Sequence, residues 1–269
     1  MPDLHPVSPG TTTSPREAVD ALMREHAGKI YALGLRSCGS EADAEDLVQE
    51  TFLRALRAWP SFRGESRATT WLYTIAARAC KRMKRKRSGE PSRMPSLQDL
   101  ASIDAEMAPD IPDDGESPLE ESIRREADEA VDAAIESLPP AYRFPLLLKD
   151  IAGLSIAETA HALGLKESTV RTRVHRSRLL LRRALASRLP GKALPAERVN
   201  QAICLDLLAA KQAAMDRGEP FSPPGDHLCA RCRSVFRTMD LAADVCQDFA
   251  ADDLPDAVAR ALRARLANA

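Results

Sequence analysis

The stretch from 43 to 87, DAEDLVQETFLRALRAWPSFRGESRATTWLYTIAARACKRMKRKR, decides the fold of the first half of the chain. Acidic residues come first, then apolar residues spaced three and four apart, which predicts an amphipathic helix with one buried stripe. A second helix is predicted from about Arg67, with Thr69 and Thr70 as candidate N-caps. It ends in a dense run of lysine and arginine, a charge pattern that suits a phosphate backbone.

Two strings within this stretch, DAEDLVQETFLRALRAWPSFRGES and TTWLYTIAAR, resemble the promoter-melting domain of extracytoplasmic-function RNA polymerase sigma factors. The resemblance implies that the first helix docks on the clamp of the largest subunit of the RNA polymerase core. The residues implied in that contact are Asp46, Gln49, Glu50 and Phe52. The connector and the second helix are implied to capture flipped bases of the minus-ten element. The DNA-binding candidates here are Trp59, Phe62, Trp71, Arg78 and Arg82.

The aromatic residues of the connector and of the second helix also admit a structural interpretation. Trp71 falls at helical spacing, where an aromatic side chain usually packs in the core. Trp59 and Phe62 flank a Pro60-Ser61 turn, where burial is harder and stacking on an unpaired base is favoured.

Composition predicts an all-α protein with more than one domain. The chain has 269 residues, 4% aromatic residues and a net charge of −1, and it lacks the alternation expected of strands. No stretch approaches the roughly 20 apolar residues of a membrane span. The N-terminal residues 1–15 have no apolar core of a signal peptide and are expected to be disordered. We therefore expect a cytoplasmic protein without membrane contact.

The first predicted domain covers 16–87, and two segments of different composition follow it. Residues 88–127 combine prolines with many carboxylates and predict a flexible acidic linker. Residues 128–187 predict a helix-turn-helix, with Ser155 and Glu158 forming a capping box at the start of its first helix.

The helix-turn-helix is predicted to place the second of its helices in the major groove. Its outward side chains, which are the DNA-binding candidates, are Ser168, Thr169, Arg171, Thr172, Arg173 and Arg176. The motifs SLPPAYR, GLS, LG and TVRTRVHR resemble the minus-35-binding domain of the same sigma factors. That resemblance adds promoter DNA and the polymerase flap as partners.

A further module, 196–250, carries a CxxC motif and is followed by a predicted helical tail, 251–269. Two thiolates at this spacing can bind one metal ion, and Zn, Cd and Cu(I) all suit thiolates. The candidate ligands are Cys204, His227, Cys229 and Cys232. The segment resembles the zinc-binding anti-sigma fold and the cysteine-rich C-terminal domain of metal-responsive sigma factors.

The sixth cysteine, Cys246, is expected to lie away from this cluster. If residues 232–246 form one helix, fourteen residues at about 1.5 Å each separate the two thiols by roughly 21 Å. Its position beside Val245 and Phe249 favours a place in the core. Cys38 is likewise expected to be a small buried residue rather than a metal ligand.

The sequence thus predicts a sigma factor that initiates transcription, with metal binding in the C-terminal domain controlling its activity. The fused domain could take the place of a separate anti-sigma factor. Two alternatives stay open: control by thiol redox chemistry, and a helix-turn-helix regulator that acts without polymerase. No nucleophile and base are paired in the sequence, so we do not expect an enzyme.

Overall fold

A computed structural model describes residues 14–84, 107–109, 118–189, 191–193, 201–223, 228–251 and 253–267. Its helices fall into three groups along the chain, and the predicted all-α class is confirmed. The one β element among the described residues is a pair of three-residue strands, β1 (Met107–Pro109) and β2 (Gly191–Ala193), which lie antiparallel. Most of the predicted linker and the end of the basic run, 85–87, fall outside these ranges.

The first group consists of α1 (Pro15–Cys38), α2 (Glu41–Ala58), a 3-10 turn (Trp59–Ser61) and α3 (Ala68–Lys84). Ser14 caps α1 through a full capping box with Glu17, and Pro15 occupies the first turn. The α1 and α2 helices approach closely at Gly34, where a Cβ atom would lie 2.7 Å from the Ala44 Cα. Only glycine fits there, so this residue sets how deeply the two helices pack.

The prediction that threonines cap α3 is wrong. The backbone N–H of Trp71 donates to the carbonyl of Arg67, so the helix begins around Arg67 and both Thr69 and Thr70 lie inside its first turn. Thr70 is buried and its hydroxyl donates to Glu158, 88 residues further along the chain. A long-range partner has therefore taken the place of the local cap.

The second group consists of α4 (Pro118–Ser137), α5 (Pro140–Leu146) with a π turn (Leu147–Ile151), α6 (Ile156–Leu163) and α7 (Glu167–Arg188). Helix α4 begins inside the segment that we predicted to be linker. Its residues Ile123 and Ala127 are buried in the core because the apolar face of α4 packs on α7. Glu126, in the same stretch, is exposed on the solvent-facing side of the helix.

The third group consists of α8 (Gln201–Arg217), α9 (Ala230–Ala251) and α10 (Asp256–Ala267). Helix α9 packs against α1 of the first group and against α4, α7 and the π turn of the second. Helix α10 packs on α2, with Val258, Leu262 and Leu266 buried in the shared core. The third group therefore contacts both preceding groups.

Arg36 shows how tightly the three groups meet. This α1 side chain is 7% exposed and its Nε lies 2.9 Å from a carboxylate oxygen of Asp132 on α4. Its guanidinium lies over the Phe249 ring of α9, 3.4 Å from the centroid. No helix among the described residues is both long enough and apolar enough to cross a membrane.

Candidate nucleic-acid and metal-binding sites

The acidic face of α2 holds three of the four residues predicted to contact polymerase. Asp46 is exposed, Glu50 is half-buried, and Gln49 lies between them but is only 8% exposed. The tail helix α10 borders this face, because Arg265 lines the same groove as these three residues. Phe52 is different: it is fully buried among the apolar side chains of the core and offers no surface to a partner in this arrangement.

Three aromatic side chains form a cluster at the junction of α2 and α3, which we call the aromatic triangle. The ring centroids of Trp59 and Phe62 are 5.3 Å apart, those of Phe62 and Trp71 are 5.0 Å apart, and those of Trp59 and Trp71 are 5.6 Å apart. All three side chains are half-buried. Rings that support one another and still expose part of their surface can act as a stacking platform for unpaired bases.

A groove of about 330 Å³ lies between α2 and α3 and is lined by four arginines. They are Arg54, Arg57, Arg78 and Arg82. Arg82 also lies 3.0 Å from Glu50, which orients its guanidinium. Arg54 and Arg57 were missed by sequence reasoning, since their role depends on α3 bringing two further arginines to the same groove. Such a concentration of charge can hold a phosphate backbone.

The helix-turn-helix consists of α6 and α7, joined by a turn in which Gly164 adopts a φ of 65°. The predicted capping box is present: the Glu158 N–H donates to the Ser155 hydroxyl, and the Ser155 N–H donates to the Glu158 carboxylate. Val170 and Val174 are fully buried against α6. These contacts fix α7, the recognition helix, with its polar side facing outward.

The predicted DNA-binding residues of α7 divide into two sets. Ser168, Arg171 and Thr172 are exposed, and Thr169 is half-buried. Arg173 and Arg176 are half-buried beside Tyr142, with the Arg176 guanidinium 3.3 Å from the Tyr142 hydroxyl and Arg173 over the ring. The second set is therefore held in place by the α5 helix before any DNA binds.

An acidic side chain of the third group reaches the recognition helix, which no local pattern predicts. The Asp216 carboxylate on α8 lies 2.9 Å from His175 Nε2, 2.7 Å from Arg178 Nη1 and 3.7 Å from Arg171 Nε. Burial opposes its ionisation, but the hydrogen bond to His175 and the charge of Arg178 outweigh it and hold the pKa of Asp216 below its usual value. Asp216 is thus a partly buried carboxylate beside two arginines and a histidine.

A second long-range contact joins the first and second groups directly. The Thr70 hydroxyl donates to the Glu158 carboxylate at 3.0 Å, and Arg67 Nη1 lies 3.4 Å from the same oxygen. Burial raises the pKa of Glu158, but the hydrogen bonds from Ser155 and Thr70 outweigh it, and the net shift is downward. The helix that carries Trp71 is therefore hydrogen-bonded to the helix-turn-helix.

Three of the four predicted metal ligands meet at the start of α8 and α9. The sulfur atoms of Cys204, Cys229 and Cys232 all lie within 4.8 Å of one another, and we call this set the cysteine cluster. Tetrahedral zinc with bonds of about 2.3 Å needs sulfurs about 3.8 Å apart, which a small contraction would give. The predicted fourth ligand, His227, lies outside the described residues.

The chemistry of these thiols is consistent with a metal site that depends on proton release. Burial and the neighbouring thiols raise the pKa of Cys232, and burial raises the pKa of Cys204. A metal ion would reverse that effect, because it binds the thiolate and displaces the proton. The donor set therefore fits Zn, Cd or Cu(I), each of which accepts sulfur ligands.

The remaining cysteines lie elsewhere. Cys246 is 1% exposed in the shared core with Val245 and Phe249, as its position beside these two residues predicted. Cys38 is buried as expected, with its sulfur 2.7 Å from that of Cys80 on α3. These three thiols lie outside the cysteine cluster.

Comparison with known proteins identifies the first and second helical groups. Residues 22–90 match sigma-70 region 2, and residues 128–181 match sigma-70 region 4. The chain is similar to the ECF RNA polymerase sigma factor SigE of Mycolicibacterium smegmatis, at 38% identity over 62% of this chain and 61% of that protein. It is also similar to the RNA polymerase sigma-H factor of Pseudomonas aeruginosa, at 34% identity over 63% of this chain and 87% of that factor.

A solved structure of sigma factor RpoE with the anti-sigma factor NepR from Bartonella quintana is also similar. It shares 21% identity, covers 62% of this chain and 96% of that chain, and has a TM-score of 0.44. The two matched regions and the relatives agree on one family. The ECF RNA polymerase sigma factor SigW of Bacillus subtilis is 34% identical over 63% of this chain and 90% of that protein. The chain belongs to the extracytoplasmic-function RNA polymerase sigma factors, which are transcription initiation factors and not enzymes.

Proposed function

We propose that this chain directs RNA polymerase core to specific promoters, and that metal binding to the cysteine cluster controls its activity. The observation that carries the proposal is the position of the third group. Helix α9 packs on both promoter-binding regions, helix α10 packs on the first, and the cysteine cluster lies where the start of α9 meets α8. A change at the cluster can therefore reach both regions.

The role in polymerase binding rests on the acidic face of α2. Asp46 and Glu50 lie together on it, and the relatives are named as polymerase sigma factors. The helix α10 lies beside this face and is held there by three buried apolar side chains and by Arg16, whose guanidinium donates to the carbonyls of Leu266 and Ala267. We infer that α10 must shift before the clamp of the polymerase can occupy the whole face.

The role in promoter binding requires the two regions to separate. Elements named for positions minus-ten and minus-35 lie about 25 base pairs apart, or about 85 Å along the duplex at 3.4 Å per pair. Thr70 on α3 and Glu158 on α6 are only 3.0 Å apart. The arrangement described here is therefore a closed form, and promoter engagement breaks the contact between Thr70 and Glu158.

Control by a fused domain needs only weak contacts. Because the cysteine-rich segment belongs to the same chain, its effective concentration at the promoter-binding regions is high, and a modest affinity suffices to keep them closed. A metal ion held by Cys204, Cys229 and Cys232 would supply the crosslink between α8 and α9. A separate anti-sigma factor is not needed for this mode of control.

In-vitro transcription with polymerase core tests the proposal. The purified chain, on a template containing its own upstream region, is assayed with no added metal and with Zn, Cd and Cu(I). We expect transcripts whose amount changes with metal, and we expect Cys229→Ser to abolish that change. Cys246→Ala is the matched control, because its thiol lies in the core outside the cluster, and its response should match that of the unmodified chain.

Two results would contradict parts of the proposal. Metal-independent transcription in the unmodified chain would leave a sigma factor without metal control. Absence of transcripts under every condition would contradict promoter activity itself. Control by oxidation is the second candidate, favoured by the short distances between the three thiols, and a response to peroxide in metal-free buffer that Cys229→Ser removes would support it.

A further inference from the structure

We propose that the Arg171 and His175 flank of the recognition helix is a DNA phosphate site, and that the Asp216 carboxylate occupies it in the closed form as an intramolecular phosphate mimic. This inference rests on the proposed function and deepens it. It assigns the contact through which the cysteine-rich segment withholds the helix-turn-helix from DNA.

The geometry places three basic side chains on one stripe of α7. Arg171, His175 and Arg178 are spaced four and three residues apart, so they share a face of the helix. All three lie within 3.7 Å of the Asp216 carboxylate. Arg171 is one of the exposed residues at the N-terminal half of the helix, the part that enters the major groove.

Burial indicates which of these side chains is the anchor. Arg178 is 4% exposed and is also bound by both carboxylate oxygens of Asp150, at 2.7 and 3.0 Å. The charges of Asp150 and Asp216 outweigh the effect of burial, and the pKa of Arg178 is raised. Arg178 therefore has a structural role as a buried cation. Arg171 is half-exposed and is the side chain that can exchange Asp216 for a DNA phosphate.

The contact excludes DNA by charge and by space. A carboxylate at this position satisfies donors that would otherwise meet phosphate oxygens, and it repels the backbone. The end of α8 also touches the helix backbone, since Gln212 donates to the His175 carbonyl at 3.3 Å. A major groove about 12 Å wide is filled by one helix of about 10–12 Å diameter, so a second helix end at its flank must leave.

The cysteine cluster is joined to this contact through α8 and α7. Cys204 and Asp216 lie on the same helix, twelve residues and about 18 Å apart. Leu179 of the recognition helix packs in the same apolar cluster as Cys204 and Cys232. A shift of α8 caused by metal exchange would therefore move Asp216 relative to Arg171.

The test measures DNA binding by the full chain without polymerase. Fluorescence anisotropy is recorded with a duplex of its own upstream region and with a random-sequence duplex, across a range of salt. We expect Asp216→Asn to tighten binding about three- to tenfold and to steepen the salt dependence by about one counterion, as one more cation meets phosphate. Asp216→Glu, which keeps the charge, should restore weak binding.

Asp206→Asn is the matched control, because it removes the same charge from an exposed position ten residues earlier on α8. Equal gains from Asp206→Asn and Asp216→Asn would reduce the effect to net charge and overturn the inference. So would unchanged binding in a folded Asp216→Asn chain.

A double-mutant cycle keeps the inference testable if Asp216→Asn lowers stability. Arg171→Gln should weaken DNA binding severalfold more in the Asp216→Asn background than in the native background, because Arg171 reaches phosphate only after release. Equal losses in both backgrounds would overturn the inference. If Asp216→Asn tightens DNA binding but Cys229→Ser leaves the metal response intact, the contact of Asp216 is supported and control through the cysteine cluster is contradicted. If Cys229→Ser abolishes the metal response but Asp216→Asn leaves DNA binding unchanged, only the contact of Asp216 is contradicted.

Discussion

The two candidate DNA-binding surfaces of this chain are held in different ways. The aromatic triangle of Trp59, Phe62 and Trp71 is half-exposed, and within the described part of the chain it forms no hydrogen bond or ion pair with the cysteine-rich segment. The recognition helix, by contrast, meets Asp216 at three basic side chains. The proposed control would therefore act on duplex binding by region 4, while the candidate stacking surface of region 2 is already formed in this arrangement.

The difference also shows what each surface needs. Stacking on an unpaired base requires rigid rings with a free face, and mutual packing of three rings provides that without any partner. Phosphate binding requires exposed basic side chains, which also pair with nearby carboxylates and bind any DNA regardless of its sequence. A carboxylate of the same chain, here Asp216, can suppress such nonspecific binding.

The largest effect is expected at the aromatic triangle. Trp59→Ala removes a stacking surface worth about 1–3 kcal/mol per base, so transcription should fall roughly 5- to 150-fold. Permanganate reactivity of unpaired thymines in the promoter measures the loss of melting directly. Trp59→Phe keeps a π face and should retain most activity. A folded Trp59→Ala chain that melts the promoter normally would show that the triangle is only part of the core.

A smaller effect is expected at the contact between the two regions. Glu158→Gln removes the charge that attracts Arg67 and weakens the hydrogen bond from Thr70. The closed form should therefore be less populated, and promoter binding should rise about two- to fivefold. Ser155→Ala is the control, because it breaks the same capping box without touching Thr70. If both variants bind the promoter alike, helix capping and not closure explains the change.

The smallest effect is a pH dependence of the same contact. The pKa of Glu158 is lowered in the folded chain, so its contribution to stability is present above its ordinary value of 4.5 and is lost as the pH falls through the lowered value. The melting temperatures of the native chain and of Glu158→Gln should differ by less than about 3 °C at neutral pH and converge in acid. A difference that grows as the pH falls would contradict this sign.

Local patterns in the sequence predicted most of the helices and part of the site. The capping box of Ser155 and Glu158 depends on residues three positions apart, and it was predicted correctly. Thr70 was misassigned as a cap because α3 begins around Arg67, and its actual partner, Glu158, lies 88 residues away. Such pairings depend on how helices pack, which periodicity does not encode.

The same limit applies to the polymerase and DNA surfaces. Phe52 belongs to a motif associated with polymerase binding, yet its place on the inward stripe of α2 puts it in the core. Asp216 looks like an ordinary helix-terminal acid, and only the packing of α8 brings it to the recognition helix 41 residues earlier. The cysteines were easier to predict, since the CxxC spacing is itself local.

The central claim is that regions 2 and 4 are held together in the free chain and separate on the promoter. Fluorescence energy transfer between dyes attached through noncanonical amino acids at two exposed sites, Glu65 beside α3 and His161 on α6, measures this directly. We expect efficient transfer in the free chain and its loss with polymerase core and promoter, where the two elements lie about 85 Å apart. Low transfer in the free chain under every metal condition would contradict the closed form.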